Sequence, residues 1–377
     1  MSILTSYSVD CFRNLKAVDF KPSPGFNLIC GPNGSGKTSL LESIHYLSVG
    51  RSFRTHKISP LLQVDQQSFL IVAGIEGKEG RIGLSKSRQG LLDLRVFSES
   101  QKNFQTVAEL LPLQLINSDS FSLLEGGAKL RRRFLDWMMF HVEHSFISRW
   151  RDYRRAVSQR NAVLKSMSRE GFGALSRVEQ EGLLLVWEHE IATLGELIDS
   201  DRRLLFDLLL PYFREIAKDF LPHYELGFEF KSGWDNSESL ANTLRDARPR
   251  ELQYGMTLYG PHRADFQIRS DGVLAAEILS RGQIKLLVCA LKLAAGQLID
   301  RLRFEKTEQV NRCTYLIDDL ASELDRENRA KVIERLAKSG AQCFFTAIEA
   351  EDLPEVAEIS LKTSGKFHVE HGKIRSA

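Results

Sequence analysis

The stretch Gly31-Pro-Asn-Gly-Ser-Gly-Lys-Thr38 constrains this chain more than any other. It follows G-x-x-x-x-G-K-[ST], the pattern of a phosphate-binding P-loop. Its surroundings supply the structure the pattern needs. Phe26-Asn-Leu-Ile-Cys30 is a short apolar run that reads as a buried strand. From Ser39 to Leu47, apolar residues fall at 40, 41, 44 and 47, which is helical spacing. Gly31, Gly34 and Gly36 let backbone N–H groups wrap a phosphate without side-chain clash, with Pro32, Asn33 and Ser35 between them. The following helix N-terminus favours anionic oxygens. Lys37 is placed to reach the outer phosphates, and the Thr38 hydroxyl to ligate Mg²⁺. ATP and Mg²⁺ are therefore the expected ligands. A P-loop alone does not separate kinases, GTPases, transporter motors and DNA-repair ATPases.

The chain has 377 residues, enough for two or three domains. No apolar run approaches the ~20 residues of a membrane helix. The first residues, Met1 to Val9, lack the basic and long apolar regions of a signal peptide. Cysteines 11, 30, 289, 313 and 343 are odd in number and contain no C-x-x-C pair. Buried reduced thiols fit better than a disulfide framework or a zinc site. These features predict a cytoplasmic protein with no membrane partner.

The order of elements predicts an α/β ATPase head interrupted by a helical arm. Residues 1–124 and 251–377 read as the two halves of the head, and 125–250 as the arm. Residues 2–29 suggest two strands joined by a turn at Pro22-Ser-Pro-Gly25. Runs at 69–75, 81–85 and 91–97 suggest an antiparallel meander. Residues 128–167 and 176–220 carry long helical periodicity, broken at Glu170-Gly-Phe-Gly173. A strand at 224–231 and a helix at 236–248 complete the arm. The tail, 356–375, reads as a hairpin with turns at Ser364-Gly365 and near His371-Gly372.

Two further stretches carry chemistry. Cys313-Thr-Tyr-Leu-Ile317 is an apolar strand ending in Asp318-Asp319. A carboxylate at that strand end suits Mg²⁺, so Asp318 pairs with Thr38 as metal ligand. Asp319 is placed to act as general base on the attacking water. Leu279-Ser-Arg-Gly-Gln283 is similar to the L-S-G-G-Q signature of ABC-type ATPases, with Arg281 replacing the first glycine. Ser280, Gly282 and Gln283 would present a hydroxyl and backbone N–H groups to a phosphate at a helix N-terminus. The same letters also describe an ordinary N-cap.

The chain resembles the RecF family of bacterial recombination-repair ATPases, which are related to the heads of SMC proteins. The resemblance rests on Phe12-Arg-Asn14, Gly50-Arg-Ser-Phe-Arg54, Arg132-Arg-Phe-Leu-Asp136, Gln159-Arg-Asn161, Gly260-Pro-His-Arg-Ala-Asp265, the signature and Leu316-Ile-Asp-Asp319. It implies an ATP-dependent homodimer, with each signature facing the nucleotide held by the partner subunit. It implies weak DNA-stimulated hydrolysis, binding to single-stranded, gapped or junction DNA, and work with RecO and RecR to load RecA. Support of the SOS response is implied too. An SMC-like clamp is the alternative, but ~120 arm residues without sustained heptads are too few for its coiled coil. A transporter motor fits poorly with a basic arm. The wider ABC pattern has a catalytic glutamate where Asp319 stands, and a switch histidine where Thr346 or Ala347 falls. Asn117 is the nearest candidate for the Gln-loop residue.

DNA contacts are expected where positive charge concentrates, because Lys/Arg neutralise backbone phosphates. Between Lys129 and Lys165 ten Lys/Arg stand against three acids, a net of +7. Arg132, Arg151, Arg154, Arg155 and Arg160 in that stretch, with Arg51 and Arg54 after the P-loop helix, are the predicted contacts. Without a stacking motif, backbone binding is expected in place of base readout. His141-Val-Glu-His144 lacks a third ligand and reads as helix surface or core. The tryptophans read as packing.

Overall fold

The apolar run before the P-loop forms strand β3 (Phe26–Cys30), buried along its whole length. A strand covered on both faces belongs inside a parallel sheet. Its neighbours are β13 (Cys343–Ala347) on one side and β14 (Gly365–Glu370) on the other, both parallel to it. Beyond them lie β12 (Thr314–Ile317), β8 (Leu113–Ile116) and, antiparallel at the far edge, β15 (Lys373–Ser376). The sheet order is β15-β14-β3-β13-β12-β8. Asn27 fastens the turn before β3: its Oδ1 accepts from Ser23 N at 2.7 Å and its Nδ2 donates to Gly25 O at 3.2 Å.

A second sheet of the head is antiparallel, in the order β2-β1-β4-β5-β6-β7. Its strands are β1 (Leu4–Phe12), β2 (Leu15–Phe20), β4 (Ser68–Ile75), β5 (Ile82–Ser87), β6 (Leu92–Val96) and β7 (Glu99–Ser100). The meander expected at 69–97 is β4 to β6. The opening segment differs from expectation. It makes a tight hairpin with Arg13 in left-handed backbone (φ 52°), so three strands precede the P-loop where two were predicted.

The P-loop helix, α1 (Lys37–Val49), buries Leu40, Leu41, Ile44 and Leu47 completely. They share one apolar cluster with Val9 of β1, Ile29 of β3, Leu316 of β12 and Phe344 of β13. Each such side chain contributes about 1.5–3 kcal/mol on burial, which anchors the loop's helical end between the two sheets. Gly50 stops α1 in left-handed backbone, its N–H donating to Tyr46 O. Helices α2 (Gln105–Leu110), α10 (Leu320–Glu323), α11 (Arg326–Ser339) and α12 (Pro354–Ile359) also belong to the head. So does α9 (Arg281–Thr307), the one helix among the described residues long and apolar enough to cross a membrane; most of its apolar window is buried in the head core.

The computed structural model describes residues 3–143, 145–168, 176–308, 310, 312–359 and 364–376. The break expected at 170–173 and His144 lie outside them. The tail is a single hairpin, β14–β15, turning at His371-Gly372; Gly365 is the first residue of β14 and not a turn.

The arm contains α4 (Ala128–Val142), α5 (Phe146–Met167) and α7 (Leu240–Tyr254), with α3 (Ser118–Glu125) leading in. The long helix α6 (Arg177–Phe220) supplies most of its length to the arm. The helical run at 128–167 is interrupted at 143–145, where the Glu143 carboxylate accepts from Ser145 N at 3.0 Å and Ser145 Oγ at 2.7 Å. That local ring turns the chain and starts α5. A small sheet orders β11 (Val273–Leu274), β10 (Asp265–Ser270) and β9 (Leu226–Lys231), and α8 (Ala275–Ile278) follows. Compact units divide the chain as Met1–Ser122, Glu215–His223 and Leu279–Ala377, against Leu123–Arg214 and Tyr224–Ile278. The boundary expected at 251 is therefore displaced to 279. The cause is β10, which pairs along its length with β9 and holds residues 251–278 in the arm.

Candidate functional site: a nucleotide cradle in the head

The residue leaving β3 is Gly31, and only glycine fits there. Its φ is 151°, and a Cβ would lie 2.2 Å from the Val369 carbonyl oxygen of β14. Gly36 has φ 121° and precedes the first residue of α1. Asn14 braces this loop from the β1–β2 hairpin. Its Nδ2 donates to Gly34 O at 2.9 Å, and its Oδ1 accepts from Ser39 Oγ at 2.8 Å. Its signal in the sequence is the Phe12-Arg-Asn14 stretch.

Lys37 Nζ donates to Gly31 O at 2.6 Å and to Pro32 O at 3.0 Å. Partial burial pulls the Lys37 ammonium below the ordinary lysine range, and Asp318 and Asp319 act in the opposite direction. Thr38 Oγ1 donates to Asp318 Oδ1 at 3.0 Å, across 280 residues of sequence. The expected metal pair is thus brought together by the parallel sheet, whose strand ends converge at one edge. Thr346 Oγ1 donates to the same Asp318 oxygen at 2.8 Å and accepts from Asp319 N at 2.9 Å. Burial raises the Asp318 carboxyl above the usual range, and the bonds from Thr346 and Thr38 oppose that rise. Asp319 stands exposed in left-handed backbone (φ 54°) at the start of α10, its Oδ2 accepting from Ser322 Oγ at 2.8 Å. Thr346 is a site residue that sequence reasoning considered only as the place of a missing histidine. What it does here is hold both carboxylate-bearing residues at once.

A second support lies inside α1. Glu42 is fully buried and accepts from Arg13, from Nη2 at 2.7 Å and also from Nε, and from Ser52. Ser52 Oγ in turn accepts from Arg54 N at 2.9 Å and Thr55 N at 3.0 Å. This network folds residues 50–55 back so that Arg54 Nη1 lies 3.7 Å from Glu42. Arg13, Asn14 and Arg54 thereby join Asn33, Gly34, Gly36, Lys37, Thr38, Ser39, Asp318, Asp319 and Thr346 around a cavity of about 610 Å³. Arg54, expected on DNA, is a wall of the nucleotide cavity.

The residues fit ATP and Mg²⁺. The glycine cradle excludes side chains where phosphates lie, and Ser35 Oγ is buried there without a partner. Among the described residues no group of three or more His, Cys, Asp or Glu is arranged to hold a metal ion by itself. A hydroxyl and one carboxylate, completed by phosphate oxygens, is the oxygen-only set that Mg²⁺ prefers.

The signature sits elsewhere on the head. Ser280 caps α9, accepting from Gln283 N at 3.3 Å, while Gln283 Oε1 accepts from Ser280 N at 2.9 Å. Ser280 and Arg281 are exposed, and no residue from 279 to 283 lines the chain's own nucleotide cavity. Asn117 does not reach it either: its Oδ1 is engaged by Ser120 N at 3.0 Å and Ser120 Oγ at 2.7 Å.

The predicted DNA contacts separate by burial. Arg151, Arg154 and Arg155 are exposed along α5, and Arg51 is exposed on the head. Arg132 is half-buried and donates to Ala264 O at 2.9 Å. Arg160 is not a surface residue at all. It is 0% exposed, with Nη1 2.5 Å from Glu251, Nη2 2.9 Å from Glu188 and Nη1 donating to Thr257 Oγ1 at 3.0 Å. A guanidinium so placed cannot reach a phosphate, so Arg160 is a structural residue of the arm and not the DNA contact its charge suggested.

A parallel sheet with a P-loop after its interior strand, a carboxylate pair at a nearby strand end and a signature capping a core helix define an ABC-type ATPase head. The model of the RecF/RecN/SMC N terminal domain matches residues 3–373. The DNA replication and repair protein RecF of Azotobacter vinelandii (strain DJ / ATCC BAA-1303) is 40% identical over 370 residues, covering 97% of this chain and 96% of that one. RecF of Edwardsiella ictaluri (strain 93-146) is 38% identical, covering 98% and 99%. The chain belongs to the RecF family of DNA replication and repair proteins. Among solved structures, that of the recombination mediator protein RecF-ATPrS in the RecFOR pathway has a TM-score of 0.83 at 25% identity, covering 99% of this chain and 97% of that one. The Smc head domain of Pyrococcus furiosus shares the fold, with a TM-score of 0.57 at 16% identity over 100% of this chain and 96% of the other.

Proposed function

We propose that the protein is a weak, DNA-stimulated ATPase that pairs head-to-tail around two ATP molecules on DNA, in recombinational repair and replication-fork maintenance. The observation that carries this reading is the division of one site between two surfaces. The cavity of one chain holds Lys37, Thr38, Asp318 and Asp319 but no signature residue. Ser280, Gly282 and Gln283 sit at an exposed helix cap, free to close over the phosphates of a partner copy. The phosphates supply the charge that draws the two surfaces together. Asp319, one methylene shorter than glutamate, and Thr346 in place of a histidine favour slow turnover, which suits a switch for pairing. The solved RecF structures are of a recombination mediator with ATP or its analogue in the RecFOR pathway. By that kinship the partners are RecO and RecR, the DNA is single-stranded, gapped or junction duplex, and the outcome is RecA loading with support of the SOS response. Arg151, Arg154 and Arg155 are the arm residues offered to DNA.

The test is gel filtration with light scattering on gapped DNA. ATP and Mg²⁺ should double the protein mass, and Ser280→Arg should keep ATP binding while abolishing the dimer. A dimer undiminished in Ser280→Arg would sink the shared-site reading.

A further inference from the structure

A second cavity lies wholly within the arm, with a volume of about 470 Å³. It is lined by one face of α5, through Tyr153, Arg154, Ser158, Asn161 and Lys165, and by His262 from the turn before β10. Hydrogen bonds fix the direction of three polar groups there, Tyr153, Asn161 and His262. His262 Nε2 faces Thr257 O at 3.2 Å, so it carries the proton, and Nδ1 accepts from Tyr153 OH at 2.7 Å. Burial pulls this imidazole down to about 4, so it is neutral and adds no charge. Asn161 Oδ1 is committed to Thr257 N at 2.7 Å and Thr257 Oγ1 at 2.8 Å. Its NH₂ is the group left to point at a ligand. Ser158 adds a hydroxyl. Arg154 and Lys165 are exposed, have no ion-pair partner among the described residues, and no acid lines the cavity. Beside the apolar Val157 and Ala162, the polar part of the wall therefore offers donors and positive charge, which is the chemistry of an anion seat.

The placement of these cations selects among anions. Arg154 and Lys165 are eleven residues apart, about 16 Å along the helix axis. A lone phosphate cannot touch both. At about 100° per residue, Arg151, Arg154, Arg155, Ser158 and Lys165 fall within roughly a third of the helix circumference. That stripe holds four cations and no carboxylate. An extended polyanion matches its length, and a duplex strand offers one phosphate per about 3.4 Å.

The geometry points to this face of α5 as a seat for a DNA sugar-phosphate backbone, with Arg154 and Lys165 as its two end clamps and Ser158 and Asn161 as neutral donors between them. The inference rests on the DNA-binding reading above and names the surface that does the binding. On this face Lys165, and not the buried Arg160, supplies the second cation.

The full-length protein with ATP and Mg²⁺ is titrated onto fluorescently labelled gapped duplex, by anisotropy, across 50–200 mM salt. Removing two phosphate contacts should lower the slope of log K against log salt by about 1.8. Arg154→Ala/Lys165→Ala should show this, with affinity at least about tenfold weaker at low salt. Arg154→Lys/Lys165→Arg should restore both. The control is Lys129→Ala/Arg133→Ala, which deletes the same charge from exposed positions of α4 and should leave the slope within about 0.5 of wild type. ATP binding measured with a fluorescent analogue should be unchanged in all variants, since the cavity is in the arm. If wild type binds DNA and the double alanine variant keeps its full slope, the seat is overturned and the wider DNA reading survives. If the α4 control loses as much, net charge and not this seat is responsible, which also overturns it. If wild type itself shows no salt-dependent DNA affinity, the DNA-binding reading falls, and the seat with it.

Discussion

Replacing Arg160 separates a structural role from a DNA contact. Its side chain and that of Glu251 are 0% exposed, and Glu188 is 7% exposed. Arg160→Ala leaves the Glu251 carboxylate inside the arm without its cation, and Thr257 Oγ1 without a donor. Glu188 keeps Arg248, whose Nη2 lies 2.5 Å away, so the stranded charge is chiefly Glu251. Breaking a buried pair by removing one partner costs about 3–5 kcal/mol. At about 2–4 °C per kcal/mol for a unit of this size, the melting temperature of the arm should fall by roughly 6–20 °C. The assay is calorimetry, followed by DNA titration at a temperature where the variant is folded. The salt slope should match wild type, because no phosphate contact is lost. Arg160→Met/Glu251→Gln removes both charges while keeping an acceptor for Leu258 N, and should recover more than half the loss. A melting temperature within about 2 °C of wild type, together with a reduced salt slope, would refute the burial argument.

Lys37→Met should abolish binding of a fluorescent ATP analogue without lowering the melting temperature of the free protein. Thr346→Val removes the hydroxyl that joins Asp318 to Asp319 N while keeping its shape. Loss of a bond to a charged group, about 1.5–3 kcal/mol, predicts a roughly 10–100-fold fall in kcat with little change in KM. Asp300 is half-buried, and desolvation pushes its carboxyl up to about 7, with Cys313 N donating to it at 2.7 Å. Because the folded state holds the proton more tightly than the unfolded chain, this group's contribution to stability is full below about 4 and is lost as pH rises to about 7. Asp300→Asn should therefore come closest to wild type near pH 4 and exceed it in thermal stability by a growing margin up to pH 8.

Much of the site was legible because its parts are local. A P-loop is a contiguous backbone shape, and Gly31 and Gly36 are required by torsions set within a few residues. An N-cap such as Ser280 is likewise written in four letters. Burial of charge was not legible. Arg154 and Arg160 look alike in sequence, six residues apart on one helix, yet one is exposed and the other is sealed beneath Glu188 and Glu251. Partners at 188 and 251 come from α6 and α7, and helical period alone does not say which acids meet which face. The place of Arg54 was not legible for the same reason: a buried Glu42 turns its loop toward the nucleotide cavity.

By itself the sequence determined the head's chemistry and family, because a phosphate cradle, a strand-end acid pair and a signature helix are short-range patterns tied to backbone geometry. The tertiary structure decided which groups act together. Thr346 joins Asp318 only because β13 lies beside β12. Residues 251–278 fall in the arm only because β10 finds β9. Lys165 and His262 meet across one cavity though nearly a hundred residues separate them. Such pairings depend on non-local packing, where the free energy is gained by burying surfaces distant in sequence, and no local pattern records them.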